Sequence, residues 1–281
     1  MNLQNIFNTN KLKKNMTARK IFLKLLKMTA FNITIKHHYT HEKFNLNTYK
    51  HKGYWFHGKN REVNTIKMFY NWIKPDQFIL EIGGHIGYFS TLYAHLVGTK
   101  GKVTVFEPST NNLLYLEKNI SSLKKNNLKD IVTIEKKGVG NTDGYLDFYI
   151  DPITGQNNSF VENFEGFNAN KELSAEPNAQ MVKERVEIVK LDTYFKNTSQ
   201  FPDFVKIDVE GFEWPVIQGF KTIIEATKPS FMIEIQADAD KIIDFFLEQG
   251  YKIYNDTNEE IISYKDYLSK FTANIFFKYD C

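Results

Sequence analysis

Apolar and polar positions follow two rhythms along this chain, and the change comes near residue 60. In the first 30 residues Ile21, Phe22, Leu25, Leu26 and Met28 can share one side of a helical repeat while Lys20, Lys24 and Lys27 share another, which predicts a basic amphipathic helix. From residue 61 helical periods alternate with short apolar runs, the pattern of successive βα units and a mainly parallel sheet. Helices are expected over 61–73, 87–97, 111–123, 215–226 and 239–249. Strands are expected over 78–82, 102–106, 131–135, 145–150, 185–190, 204–208 and 231–235, with 251–254 and 274–277 closing the sheet as an antiparallel pair. The stretch 151–177, rich in Asn, Gly and Glu, reads as an excursion over one end of the sheet, either a binding element or a tolerated insertion. The fold class expected is therefore α/β: a doubly wound, Rossmann-like sheet, mainly parallel with an antiparallel C-terminal pair, preceded by an N-terminal helical extension. Residues 1–60 are expected to form the basic extension and a candidate substrate lid, and residues 61–281 the α/β domain.

Composition narrows this picture. With 42% hydrophobic residues in 281, the chain can bury one sizeable core. The lone cysteine, Cys281, rules out a disulfide framework and a cysteine-based zinc site, and a reducing, cytoplasmic setting is the simpler expectation. Net charge is +3, but Lys11, Lys13, Lys14, Arg19, Lys20, Lys24 and Lys27 precede the first acid, Glu42, so the remainder is net acidic and no nucleic-acid partner is expected. No apolar run approaches the roughly 18 residues of a spanning helix, and lysines interrupt 21–28 too often for a signal peptide. Residues 11–28 suit either peripheral contact with an anionic inner membrane surface or an extension that is solvated or packed on the body.

Candidate chemistry begins at residues 78–87, where an apolar strand runs through Glu81 and Ile82 into Gly83, Gly84, His85, Ile86 and Gly87. Glycines allow a tight turn and close approach of a ligand, and ligands of open α/β sheets bind beyond the carboxyl ends of strands. The dinucleotide pattern G-x-G-x-x-G fails because Ile82 stands two residues before Gly84. Glu81 is a poor neighbour for a pyrophosphate and a good one for an ammonium, so S-adenosylmethionine suits the loop better than NAD. Glu107, before Pro108 at the end of the next strand, can accept from both hydroxyls of a ribose or act as a helix-capping acid. Asp208 and Glu210 follow a third apolar strand, with Lys206 two residues earlier, and form either a crevice pair or a structural ion-pair cluster.

These segments resemble the FkbM-type family of S-adenosylmethionine-dependent methyltransferases. The resemblance rests on Glu81-Ile82-Gly83-Gly84-His85-Ile86-Gly87-Tyr88, Val105-Phe106-Glu107-Pro108-Ser109, residues 186–192, Lys206-Ile207-Asp208-Val209-Glu210-Gly211-Phe212-Glu213, and residues 228–234. The family usually reads Asp-Val-Gly-Ala-Asn-Ile-Gly in the first loop, so Glu81, Gly84 and His85 depart from it, His85 most in size and hydrogen bonding. The resemblance implies a class I methyltransferase domain, S-adenosylmethionine as cofactor, and O-methylation of a hydroxyl on a sugar, glycan or secondary metabolite. It implies cofactor-binding Glu81, Gly83, Gly84, His85, Gly87, Glu107, Pro108 and Asp208 and catalytic candidates Asp208, Glu210 and His85; no ligand spacing near these carboxylates argues for a metal, and none is expected. The acceptor pocket is expected from residues 37–60 and 151–180. His37, His38, His41, His51 and His57 are expected as solvated surface residues, since their spacing alone does not make a metal site. The nearby Tyr49, Tyr54, Trp55 and Phe56 cover an acceptor or pack a lid. The competing readings are an inactive scaffold on the same fold and, less well supported, a NAD-dependent oxidoreductase.

Overall fold

The computed structural model describes residues 16–174 and 176–280. Lys11, Lys13, Lys14 and Cys281 lie outside them. In chain order the elements are α1 (Met16–Met28), β1 (Asn32–Lys36), β2 (Lys43–Asn47), α2 (Lys52–His57), α3 (Val63–Trp72), β3 (Phe78–Ile82), α4 (Tyr88–Val97), β4 (Lys102–Phe106), α5 (Thr110–Ser121) and β5 (Val132–Glu135). There follow β6 (Gly138–Val139), β7 (Gly144–Ile150), α6 (Glu165–Leu173), β8 (Val182–Val189), α7 (Leu191–Tyr194), β9 (Phe204–Ile207), α8 (Glu213–Gln218), α9 (Lys221–Thr227), β10 (Ser230–Glu234), α10 (Ala239–Glu248), β11 (Lys252–Asn255), β12 (Glu260–Ile261), α11 (Tyr264–Ser269) and β13 (Asn274–Lys278).

The central sheet runs β12-β11-β13-β10-β9-β3-β4-β5. Strands β10, β9, β3, β4 and β5 are parallel, and β13, β11 and β12 add on antiparallel, as the expected C-terminal pair requires. The chain leaves β3 toward β4 and β5 and returns on the other side through β9, so the order reverses around β3, the position where open α/β sheets bind ligands. Alternation within the strands sends Phe78, Leu80 and Ile82 into one apolar layer with Val216, Ile224 and Phe246. Ile79 turns to the other layer, with Phe69, Leu92 and Leu116. This burial on both faces is why these strands read as nearly continuous apolar runs.

The structure departs from the sequence reading at four points. The helix expected over 215–226 is two helices, α8 and α9, because a Cβ at Gly219 would lie 1.9 Å from the carbonyl oxygen of Gly140, and the chain turns at that close approach. The helix expected from residue 61 begins at Val63, because Glu62 is left-handed (φ 54°) and leaves Arg61 outside it. The excursion at 151–177 carries α6, and β7 and β8 pair antiparallel in a separate three-stranded sheet, order β6-β8-β7. The histidines are not all solvated: His37 and His51 are buried, whereas His41 and His57 are exposed. Both buried rings sit in a collar, residues 32–62, built from the β1–β2 hairpin and α2, whose Phe44, Leu46 and Tyr54 share the apolar layer of α3 and α4.

Candidate functional site

A cavity of about 310 Å³ opens at the carboxyl ends of β3, β4 and β9. Its floor is the glycine turn. The amides of Gly83 and Gly84 donate to the carbonyl of Phe106 at 3.0 and 3.1 Å, and the Asp208 amide donates to the carbonyl of Ile82 at 3.0 Å, so the loops after all three strands are tied together. The turn tolerates no side chain: at Gly83 (φ 85°) a Cβ would lie 1.9 Å from the Asp208 carbonyl oxygen, and at Gly84 2.2 Å from Val105. Gly87 (φ 83°) caps α4 beneath the cavity.

Glu107 is 4% exposed. It accepts from the His85 amide (2.7 Å), the Ser109 amide (2.9 Å) and Asn112 Nδ2 (3.3 Å). Burial pushes its carboxyl up to about 7 against the pull of those donors. Pro108 lines the cavity beside it. His85 takes a left-handed backbone (φ 47°), a region in which Asn and His are both enriched, so the departure from the family Asn keeps the turn. Its Nδ1 is 3.0 Å from the Tyr54 hydroxyl, burial holds the ring well below its usual pKa, and Nε2 is buried without a hydrogen-bond partner among the described residues.

Lys206, Asp208 and Glu81 form one charged group. Lys206 Nζ donates to Asp208 Oδ2 (2.9 Å) and the Gly83 carbonyl (3.0 Å) and lies 3.9 Å from Glu81. Glu81 also accepts from Ser90 Oγ, and burial raises its carboxyl to about 7. Asp208 stays open at the cavity wall with 25% of its side-chain surface exposed, whereas Glu81, at 1%, lies beneath. Glu210, left-handed at φ 53°, faces the same cavity, and burial followed by the charge of Asp208 raises its carboxyl.

The structure adds residues that sequence reasoning did not single out as site residues. Glu234, at the end of β10, faces the cavity, and the charge of Asp208 followed by burial pushes its carboxyl up. Its signal was a fourth acid ending a parallel strand, as Glu81, Glu107 and Asp208 end or follow theirs. Arg61 and Glu62 wall the opposite side, joined by Arg61 Nε to Glu62 Oε1 at 2.8 Å. Gly155, Gln156, Asn157 and Asn158 bring the 151–177 excursion to the rim, where Asn112 Nδ2 donates to the Gly155 carbonyl at 3.1 Å. Among the described residues no group of three His, Cys, Asp or Glu side chains is placed to hold a metal ion.

A family model described as the Methyltransferase FkbM domain matches residues 81–253. The chain belongs to the FkbM methyltransferase family. The FkbM match takes in Glu81, the glycine turn, Glu107, Asp208, Glu210 and Glu234, and leaves the collar outside. Among solved structures, the chain is similar to a methyltransferase FkbM from Methylobacillus flagellatus, with 14% identity and a TM-score of 0.45 over 80% of this chain and 53% of that one. This FkbM chain thus spans about half the length of that relative. It is similar to a putative rRNA-methylase from Clostridium thermocellum, with 13% identity and a TM-score of 0.44 over 78% and 95% of the two chains. An S-adenosylmethionine-dependent O-methyltransferase from Thermotoga maritima gives 15% identity and a TM-score of 0.39 over 79% and 66%. No curated protein matches the chain.

Proposed function

We propose that this FkbM chain is an S-adenosylmethionine-dependent O-methyltransferase whose acceptor is a hydroxyl on a sugar, glycan or secondary metabolite. The observation that carries the reading is Glu107, buried at the end of β4 and hydrogen-bonded to the backbone of the adjacent glycine turn. A carboxylate at this place in a nucleotide-binding sheet suits ribose hydroxyls, and it stands beside a turn whose Gly83 and Gly84 leave no room for a Cβ. The residues fit the cofactor: Gly83 and Gly84 would let it approach the backbone, Glu107 would take the ribose hydroxyls, and Asp208 would meet the methionine ammonium, whereas Gly87, expected as a cofactor contact, lies against Leu116 and outside the cavity lining. Val139 and Phe160, farther along the cavity, offer apolar surface to the base. The cofactor supplies an electrophilic methyl.

The chain's own work is to hold the acceptor oxygen in line with that methyl, exclude water and receive a proton. The proton of the acceptor hydroxyl would pass to a carboxylate of the cavity. Asp208, oriented by Lys206, and Glu210 are the bases proposed, and burial, the charge of Asp208 and then that of Glu234 raise the proton affinity of Glu210. His85, kept neutral by burial, serves the turn and its Tyr54 partner before any base role. Residues 32–62 and 151–177 form the acceptor wall.

Isothermal titration with S-adenosylmethionine, S-adenosylhomocysteine and NAD tests the reading. Binding of both sulfur compounds but not NAD, weakened by about 100-fold in Glu107→Ala through the lost charged hydrogen bonds, supports it. A folded protein that binds neither sulfur compound returns the scaffold reading to first place.

A second reading concerns α1, and we infer that it rests on an anionic membrane surface. Leu23 is buried and Leu26 packs beside Tyr49 and Phe167, while Ile21, Leu25 and Met28 stand 58%, 57% and 76% exposed on the opposite side with Lys20 and Lys24 beside them. No described helix is long and apolar enough to cross a membrane. Co-sedimentation with phosphatidylglycerol vesicles but not phosphatidylcholine vesicles, abolished by Leu25→Glu, is expected; equal recovery with both overturns it.

A further inference from the structure

The cavity presents three cations, and their hydrogen bonds separate them. Lys206 is committed to Asp208 and the Gly83 carbonyl and neighbours Glu81. Lys137 Nζ is held by Glu187 at 2.7 Å. Arg61 spends only Nε, on Glu62, and lays its guanidinium over the Tyr54 ring at 4.5 Å. Its two terminal nitrogens have no hydrogen-bond partner among the described residues, and 27% of the side chain remains open. The place is made for it: a Cβ at Gly53 would lie 2.6 Å from Nη1. The same Tyr54 hydroxyl meets His85, so this guanidinium is coupled through one ring to the cofactor turn.

Six carboxylates line the cavity: Glu62, Glu81, Glu107, Asp208, Glu210 and Glu234. The methionine end of the cofactor is a zwitterion, and these acids suit its ammonium but repel its carboxylate. We propose that Arg61 is the anchor for the α-carboxylate of the methionine moiety, with both terminal nitrogens presented as a fork. Glu62 fixes the inner edge of the guanidinium and leaves the outer edge to pair with two oxygens, a geometry that a lysine does not reproduce. Burial works against the charge of Arg61, but Tyr54, Glu62 and Asp208 outweigh it and hold the group above its usual pKa, so the anchor stays charged. Arg61 lines the same cavity as His85 of the turn and Glu234 at the end of β10. Arg61 precedes the segment that the family model matches.

This inference rests on the cofactor reading, and one comparison separates the two. S-adenosylhomocysteine and 5′-methylthioadenosine share the nucleoside and the thioether sulfur, and only the first carries the amino-acid end. Titration of both ligands into wild type, Arg61→Met and Arg61→Lys is expected to show 10- to 100-fold weaker binding of S-adenosylhomocysteine to the methionine variant, partial recovery with lysine, and 5′-methylthioadenosine unchanged within about twofold. Equal weakening of both ligands overturns the assignment in favour of a structural role. Unchanged S-adenosylhomocysteine binding overturns it in favour of a carboxylate on the acceptor. Wild type that binds neither ligand overturns the cofactor reading itself.

Discussion

Two regions wall the same cavity, and they are held in place by different means. At the carboxyl end of the sheet, positions are set by the backbone: the amides of Gly83, Gly84 and Asp208 pair with carbonyls of neighbouring strands. The collar is tied down mainly by side chains. Asn119 on α5 accepts from the Asn45 amide at 2.6 Å and donates to the Asn45 and Ile86 carbonyls at 3.1 and 2.7 Å. His37 Nε2 meets the Tyr88 carbonyl at 3.1 Å, and the Asn47 amide donates to His51 Nδ1 at 2.9 Å. A backbone-built site leaves a glycine and strand signature in the sequence. A side-chain-built wall leaves single polar residues whose partners lie far away along the chain.

The largest effect expected from this contrast is at the sheet end. Gly83→Val combines a positive φ with a Cβ placed on the Asp208 carbonyl, and the obstacle is backbone that cannot step aside. It should cost about 4 kcal/mol of stability and abolish S-adenosylhomocysteine binding by calorimetry. Retained binding at near-wild-type affinity would show that the turn does not form the cofactor cradle.

The collar's counterpart is Asn119→Ala, which leaves the Asn45 amide and two carbonyls to find other partners. A loss of about 3 kcal/mol follows from burial of those groups, on the order of 6–10 °C in Tm for a chain of this size. 5′-Methylthioadenosine, which on the proposed reading needs no collar residue, should bind the folded variant as it binds wild type. A drop in its affinity as large as that of Gly83→Val would erase the distinction between the two regions.

The same distinction decides what could be read from the sequence. Strands 78–82 and 102–106 were legible to the residue because both faces are buried and the runs are mostly apolar. The acids at 81, 107, 208 and 210 were legible because each ends or follows such a run. The β1–β2 hairpin was not: β1, Asn-Ile-Thr-Ile-Lys, is exposed at alternate positions and its turn carries no glycine. Arg61 was hidden inside a plausible helical period, and only the left-handed Glu62 releases it toward the cavity. Burial of His37 and His51 depends on Tyr88 and the Asn47 amide, 51 and four residues away, which no local pattern reports.

Acidity offers the finest test, because the two regions store opposite protons. His37 and His51 in the collar are pushed down by burial to about 3, so the unfolded chain binds protons there that the folded chain refuses. Their contribution to stability is complete above about pH 6.5 and is lost as pH falls. Glu107 at the sheet end is pushed up by burial to about 7, so the folded chain holds a proton that the unfolded chain releases near 4.5. Its contribution is complete below about 4.5 and is lost as pH rises through about 7. Between pH 5 and pH 6.5 the two slopes oppose each other, two histidines against one carboxylate, so stability from these groups rises with pH less steeply than the histidines alone would make it. Removing one member exposes the other: relative to wild type, Glu107→Gln should gain stability as pH rises through this window, and His51→Asn should lose it. Each difference should approach at most about 1.4 kcal/mol per pH unit, read from denaturant midpoints at fixed temperature. Slopes of the same sign for the two variants would mean that the collar histidines and the sheet-end carboxylate do not hold the protons that their burial assigns to them.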